Sequence, residues 1–488
     1  MFHQFFYDIS TSLSLPIDQL KYIAAILLTY PVALFYAKFI STSSTFGKNL
    51  YSIVTTLFLF VCIHDQLIGL YHLLLSCVVT YTLLSTFKGE LGAKLVFLWA
   101  MIHMSYTHIL RQYYDYGLAK MDYSGPQMIW TIKLTMFAFN VYDGQRDLKQ
   151  LSGYQIERRI QRLPSFIDFL GYVFYFGGFF VGPAFDYFDY QQFLRAEYFN
   201  KVNNNSSLFP PTILRAVKCF VVGIICATVP IFVAPYLNVK TLLTPEYLSK
   251  PFVVRVGYVT LVPLLERFKY YFVWSLAEGA FILSGFGYNG SNSKGISNVD
   301  IAKVEVPDNL KMVLENWNMA TNLWLRNYIY LRLTPIGSKP SFFAQLSTFF
   351  TSALWHGFYP GYYLTFIFGG FINELARKLR RTIRPVVLSH DSKLIKALYD
   401  IVGTLSTCFA LNYLTIPFLS LTFTDSYIIL KSVYFYIHII VFVSLFIFRF
   451  IPNKVKVAKV PPTSINPISS DAPKPEEISF GKDVKKMN

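Results

Sequence analysis

Apolar residues come in long unbroken runs along most of the chain, with polar residues gathered between them. The clearest runs cover residues 22–40, 50–63, 68–86, 91–110, 213–235, 252–274, 397–419 and 427–450. Shorter or more interrupted ones lie at 128–142, 166–183 and 342–371. An α-helix needs about 20 apolar residues to cross the hydrocarbon of a bilayer. The pattern therefore predicts an all-α, polytopic integral membrane bundle of roughly ten or eleven spans, counted by the usual hydropathy window. Residues 1–20 lack the basic start and cleavage pattern of a secretory signal, so the first run is expected to stay as an anchor.

Composition agrees. The 488 residues are 53% hydrophobic and 18% aromatic but only 15% charged, against about 25% in a typical soluble domain. Mean hydropathy is +0.40. The formal charge of +16 would suit a nucleic-acid binder, but its placement argues against one. Arg146, Lys149, Arg158, Arg159 and Arg162 crowd one short loop. Arg377, Lys378, Arg380, Arg381, Arg384, Lys393 and Lys396 crowd another. Basic loops beside spans mark the cytosolic side, with attraction to anionic lipid or to a cofactor's phosphates as a secondary effect. The five cysteines fall in or beside apolar runs without metal-ligand spacing, so neither disulfide nor metal is expected.

No internal repeat of the kind that builds transporters is visible. Taking 377–396 as cytosolic, 397–419 crosses outward and 427–450 returns, leaving the C-terminus in the cytosol. Residues 1–450 then form one membrane domain. Residues 451–488 hold six prolines among Lys, Ser and Glu and are expected to be a disordered tail. That tail ends with Lys485 and Lys486 two residues before the terminus. The pair resembles the dilysine signal that returns membrane proteins to the endoplasmic reticulum.

Two stretches, residues 177–190 and 310–333, are too polar for lipid and suggest an internal chamber, because irregular or polar backbone at membrane depth must be lined by protein or water. In GGFFVGPAFDYFDY, residues 177–190, Asp186 and Asp189 close an aromatic run. In RFKYYFVWSLAEGA, residues 267–280, charges at Arg267, Lys269 and Glu278 would each cost about 2.5–3.5 kcal/mol at a lipid-facing helix centre, so they should face protein or water. Residues 315–332, ENWNMATNLWLRNYIYLR, read as one helix with Asn318, Asn322 and Leu325 on a face. There Asn318 is either a hydrogen-bonding link between helices or a functional donor. The stretch TSALWHGFYPGY, residues 351–362, holds His356 with no charged residue nearby in sequence. Burial would keep that imidazole neutral and able to take a proton. Without a neighbouring carboxylate no hydrolase triad is legible, and Gly357, Pro360 and Gly361 interrupt the span.

WHGFYPGY at 355–362 and ENWN…WLRNYIYLR at 315–332 resemble the two signature motifs of the membrane-bound O-acyltransferase family. RFKYYFVWSLAEGA, with GFGYNG at 285–290, is similar to a further motif of its lysophospholipid acyltransferase branch, of the fungal, broad-specificity type. The likeness runs in order and spacing over roughly 145–371. It implies a helical bundle around a catalytic chamber in which acyl-CoA, as co-substrate and without any further cofactor, acylates the hydroxyl of a lysophospholipid. The family's histidine maps onto His356, as general base, and its asparagine onto Asn318. Trp317, Trp324, Trp355 and Tyr359 would then wall the chamber. Arg332 and Lys269 are candidates to meet a substrate phosphate, with a structural ion pair as the other reading of each. A sterol, glyceride or protein acceptor stays open, and so does, more remotely, a transporter.

Overall fold

Segments that meet lipid must close their backbone hydrogen bonds within themselves, which leaves the helix as the available solution for an apolar run of this length. A computed structural model describes residues 2–13, 15–195, 210–288, 296–334 and 341–450, with the single positions 199 and 338. The expected tail at 451–488, with its dilysine pair, lies outside the described residues. Val299 and Trp317 form an isolated β-bridge.

The first half comprises α1 (Phe2–Leu13), α2 (Ile17–Phe35), α3 (Thr45–Leu57), α4 (Leu67–Thr86), α5 (Gly89–Tyr114) and α6 (Ser124–Asp143). Short helices α7 (Gly153–Arg158), α8 (Phe166–Val173) and α9 (Tyr187–Arg195) follow. Next come α10 (Ile213–Phe232), α11 (Phe252–Leu283), α12 (Ile301–Glu305), α13 (Leu310–Asn316) and α14 (Met319–Trp324). The chain ends in α15 (Phe342–His356), α16 (Pro360–Ser389), α17 (Lys393–Ser420), α18 (Phe423–Ser432) and α19 (Tyr436–Phe450). Helices α2 and α3 each run on through a widened turn, where Ser41 N–H reaches Tyr36 O and His64 N–H reaches Leu59 O.

Five helical stretches among the described residues are long and apolar enough to cross a membrane: Ile17–Ile40, Thr45–Ile63, Leu67–Thr86, Ile213–Phe232 and Lys393–Ser420. The remaining expected spans take other forms. Helices α5, α6, α11 and α16 have 20–32 residues but carry charged side chains. The run 427–450, expected to cross as one helix, is bent by 82° between α18 and α19, because Tyr434 and Phe435 both have positive φ. The segment 315–332 is likewise not one helix. Trp317 is extended and Asn318 left-handed, which separates α13 from α14.

The largest core is aromatic. Phe60, Phe174, Tyr175, Phe179 and Phe185 pack among α2, α3, α6 and α8, so much of the run at 177–190 is buried as packing. Its two carboxylates differ: Asp186 is buried while Asp189 is half-buried. Asp186 accepts from Asn140 Nδ2 at 2.8 Å and from Tyr328 Oη at 2.8 Å, joining this segment to α6 and to the turn after α14. Lys133 is buried without a carboxylate and donates to the Tyr172 carbonyl at 2.5 Å, near the end of α8, while lying 4.0 Å over the Phe185 ring. Arg267 does face protein, as its cost in lipid requires. It binds both oxygens of Glu305 at 2.7 and 2.6 Å and Asn412 Oδ1 at 2.6 Å, tying α11 to α12 and α17. Tyr271 completes that cluster by donating to Glu305.

Removing one member of a buried charge pair strands the other, at a cost of about 3–5 kcal/mol, whereas replacing both is far milder. Arg267→Met should therefore lower the thermal midpoint of the detergent-solubilised protein clearly. The double variant Arg267→Met/Glu305→Gln should recover part of the loss. An unchanged midpoint in the single variant would remove this cluster from the stabilising framework.

Candidate active site

Helix α15 ends at His356 because the next residue cannot continue it. Gly357 takes φ 125° and ψ −160°, a region open only to glycine, while its N–H still closes on the carbonyls of Ala353 and Leu354. Tyr359 is extended, as a residue before proline should be, and Pro360 opens α16. Gly361 then passes so close to α17 that a Cβ there would meet the Pro417 carbonyl oxygen at 1.9 Å. The motif is thus a sharp reversal between two helices, with the histidine at its inner edge.

The half-buried His356 ring stands in an aromatic cage. It stacks on Phe366 at 5.1 Å and 19°, meets Phe418 edge-on at 4.9 Å and lies 5.5 Å from Tyr362. Among the described residues no side chain or backbone group hydrogen-bonds to the ring. Its neighbour Trp355 is held firmly. The indole N–H donates to the Met128 carbonyl at 3.0 Å, and the Trp355 carbonyl meets His108 Nε2 at 3.1 Å. Trp355 also lies 6.2 Å from Trp324, whose Nε1–H donates to Thr135 at 3.0 Å and whose side chain is fully buried. Tyr359 is buried too, its hydroxyl accepting from Gly117 N–H at 2.8 Å.

Asn318 owes its conformation to a partner remote in sequence. The bridge of Val299 to Trp317 and the bond from Met319 N–H to the Asn298 carbonyl at 2.9 Å pin the chain on both sides. Asn318 turns through φ 45° and ψ 55°, a left-handed conformation that asparagine tolerates better than most residues. The side chain of Asn298, rather than that of Asn318, caps α14 by accepting from Ala320 N–H at 3.2 Å. The half-buried Asn318 amide makes no hydrogen bond among the described residues. Trp317 packs on Tyr270 at 5.5 Å and Trp274 at 5.0 Å. Tyr270 in turn lies close enough to Tyr362, in the His356 cage, to act on it electrostatically.

A cavity of about 1010 Å³ opens beside these elements, lined in part by Glu90, Lys94, Arg146, Tyr328, Arg332 and Thr351. Thr351 is on α15, five residues before His356, so about 7.5 Å of helix separates the two along its axis. Arg332 reaches the cavity but is held by Asp143 in a two-pronged pair at 3.1 and 2.6 Å. Lys269 is exposed, pairs with Glu266 at 2.9 Å and does not line this cavity. The ion-pair reading of both residues matches their surroundings. Trp324, Trp355, His356 and Tyr359 come together around the helix reversal; Trp317, next to Asn318 in the chain, packs on Tyr270 and Trp274 of α11. His108, Asn298, Phe366 and Phe418 also build the site, and none has a sequence signal of its own.

Residues 109–416 match the membrane-bound O-acyltransferase family, a stretch that contains Asn318, His356 and both helices of the reversal. The chain belongs to that family. It is therefore a multi-pass membrane enzyme that transfers an acyl group to oxygen. The lysophospholipid acyltransferase of Schizosaccharomyces pombe is 37% identical over 443 residues, covering 88% of this chain and 86% of that protein. The Saccharomyces cerevisiae lysophospholipid acyltransferase is 34% identical over 408 residues, covering 78% of this chain and 66% of that protein. Human membrane-bound glycerophospholipid O-acyltransferase 1 is 31% identical over 472 residues and 92% of each chain.

The two unusual backbone positions of this O-acyltransferase make a paired prediction. A Cβ at Gly357 strains the turn by about 1–3 kcal/mol, so Gly357→Ala should lower the thermal midpoint and shift the histidine. At position 318 a side chain without a local hydrogen bond loses about 1–2 kcal/mol in the left-handed region, whereas glycine loses nothing. Asn318→Gly should therefore have a higher midpoint than Asn318→Ala; equal midpoints in the two variants would contradict the left-handed turn.

Proposed function

We propose that the protein is a lysophospholipid acyltransferase, moving a fatty acyl group from acyl-CoA to the free hydroxyl of a lysophospholipid. The observation that carries the chemistry is the His356 ring, caged by aromatic side chains yet free of hydrogen bonds among the described residues. The names of the yeast and human relatives support the acceptor.

In this reading a lone-pair nitrogen of His356 takes the proton of the acceptor hydroxyl as that oxygen attacks the thioester carbonyl carbon. The tetrahedral intermediate collapses, the C–S bond breaks, and the imidazolium returns its proton to the departing thiolate. Ester and free thiol leave, the base is restored, and no acyl-enzyme is needed. The negative end of α15, where His356 sits, favours the transient positive charge. Asn318 offers an amide N–H to the developing oxyanion. Aromatic walls, with Trp317 and Trp355 among them and Trp324 and Tyr359 behind, keep water from the thioester.

Lys94, Arg146 and Arg332 are among the residues that line the cavity, each beside a carboxylate, and these cations support it as the place for the phosphorylated end of acyl-CoA. From there α15 leads to the reacting atoms. Helix α15 is about 22 Å long, shorter than the roughly 30 Å hydrocarbon layer, so its far end lies at membrane depth. The basic residues of α16, Arg377 to Arg384, support a cytosolic face for the same side and a cytosolic C-terminus beyond α19. The dilysine-like pair Lys485 and Lys486 supports an endoplasmic reticulum location.

The test uses purified protein in vesicles with oleoyl-CoA and lysophospholipids of several headgroups. Wild type should form phospholipid. A positioned base contributes about 10²–10⁴-fold, so His356→Ala should lose at least that lower factor. Loss of one oxyanion donor removes about 10²–10³ in kcat, the expectation for Asn318→Gly. A tenth of the activity surviving in His356→Ala would end the base role. Acylation of a sterol or peptide but of no lysophospholipid would move the acceptor.

A further inference from the structure

We propose that His108, on α5, is a positioning residue that fixes His356 through the backbone of Trp355. This inference rests on His356 being the base. The Trp355 carbonyl belongs to the last turn of α15, where helices leave acceptors without partners. Gly357 N–H closes on Ala353 and Leu354 instead, the chain turns away at Gly357, and Pro360 has no N–H to offer. No backbone donor among the described residues takes the Trp355 oxygen. His108 does, through Nε2 at 3.1 Å.

A carbonyl oxygen can only accept, so the hydrogen must sit on His108 Nε2 and the lone pair on Nδ1. The ring is buried and lies flat against the turn. A Cβ added to Gly357 would stand 3.4 Å from His108 Cγ and 3.6 Å from Nδ1. That is ordinary contact distance, so the ring packs directly on the turn, and it is the backbone angle of Gly357, not the ring, that calls for glycine. His108 is also near enough to His356 for the two rings to act on each other electrostatically. With the Trp355 indole bound to Met128 on α6, the residue before the base is clamped from two helices at once. One side chain of α5 thereby holds the end of α15 in place and sets where His356 points.

The donor geometry separates substitutions that otherwise look alike. The glutamine amide nitrogen can stand near the place of Nε2, while that of asparagine falls nearer Nδ1 and too short of the carbonyl. Phenylalanine keeps the ring and removes the donor. Because misplacing a catalytic group by about 1 Å can cost about 100-fold, His108→Phe and His108→Asn should lose about 10- to 100-fold in kcat. KM for acyl-CoA and for lysophospholipid should stay within a factor of about two, since neither substrate touches His108 in this arrangement. His108→Gln should return kcat to within about five-fold of wild type. All are assayed as full-length protein in vesicles, with thermal midpoints and acyl-CoA binding measured alongside, and with His356→Ala in the same series.

Wild-type kcat in His108→Phe overturns the inference. So does His108→Gln as impaired as His108→Asn at equal midpoints, which would make ring packing the requirement. Should His108→Phe fail to fold, the Gln and Asn pair decides alone. Activity retained in His356→Ala would instead sink the base assignment, whatever the His108 variants do.

Discussion

A polar group surrounded by hydrocarbon has no water to fall back on, and most of this architecture answers that constraint. Charges that would be prohibitive against lipid are turned inward and joined. Arg267 holds Glu305 and Asn412 together, Arg332 grips Asp143, Lys133 ends on helix carbonyls, and Asp186 collects Asn140 and Tyr328. These links connect elements far apart in sequence. They also explain why several long helices are less apolar than a lone span: their polar side chains are needed as crosslinks.

Against that background the groups left without partners are informative. The His356 ring and the Asn318 amide make no hydrogen bond among the described residues, and each sits where the backbone leaves a regular helix. Gly357 frees one end and the Val299–Trp317 bridge sets the other. Neither side chain takes part in the charge crosslinks, which supports the proposed use of both by the substrates.

The membrane class and helical architecture were legible in the sequence because a 20-residue apolar run has few other solutions. His356 stood out as a lone histidine among Trp, Gly, Pro and Tyr, but the family resemblance, and not that setting, pointed to it as the base. The two-helix break at Asn318 was not: its left-handed turn depends on Asn298 and Val299, which no local periodicity reports. The bend at Tyr434 and Phe435 escaped for a related reason, since both are ordinary helix residues by composition. His108 stands in an apolar run like many others, and only folding brings α5 against the end of α15. Lys269 and Arg332 advertised charge in a suggestive place, but charge in sequence does not tell whether a carboxylate waits nearby.

The shortness of α15 has a mechanical consequence. Helices that cross the full bilayer must tilt or bend when its thickness changes by a few Å. Helix α15, at about 22 Å, is too short to cross the hydrocarbon layer, and the chain reverses at Gly357. Its end is registered by Trp355 against α5 and α6 instead of by headgroups. Hydrophobic mismatch can therefore be absorbed by the outer helices as a change of slope, leaving the depth of the reacting atoms to be set by protein and not by lipid.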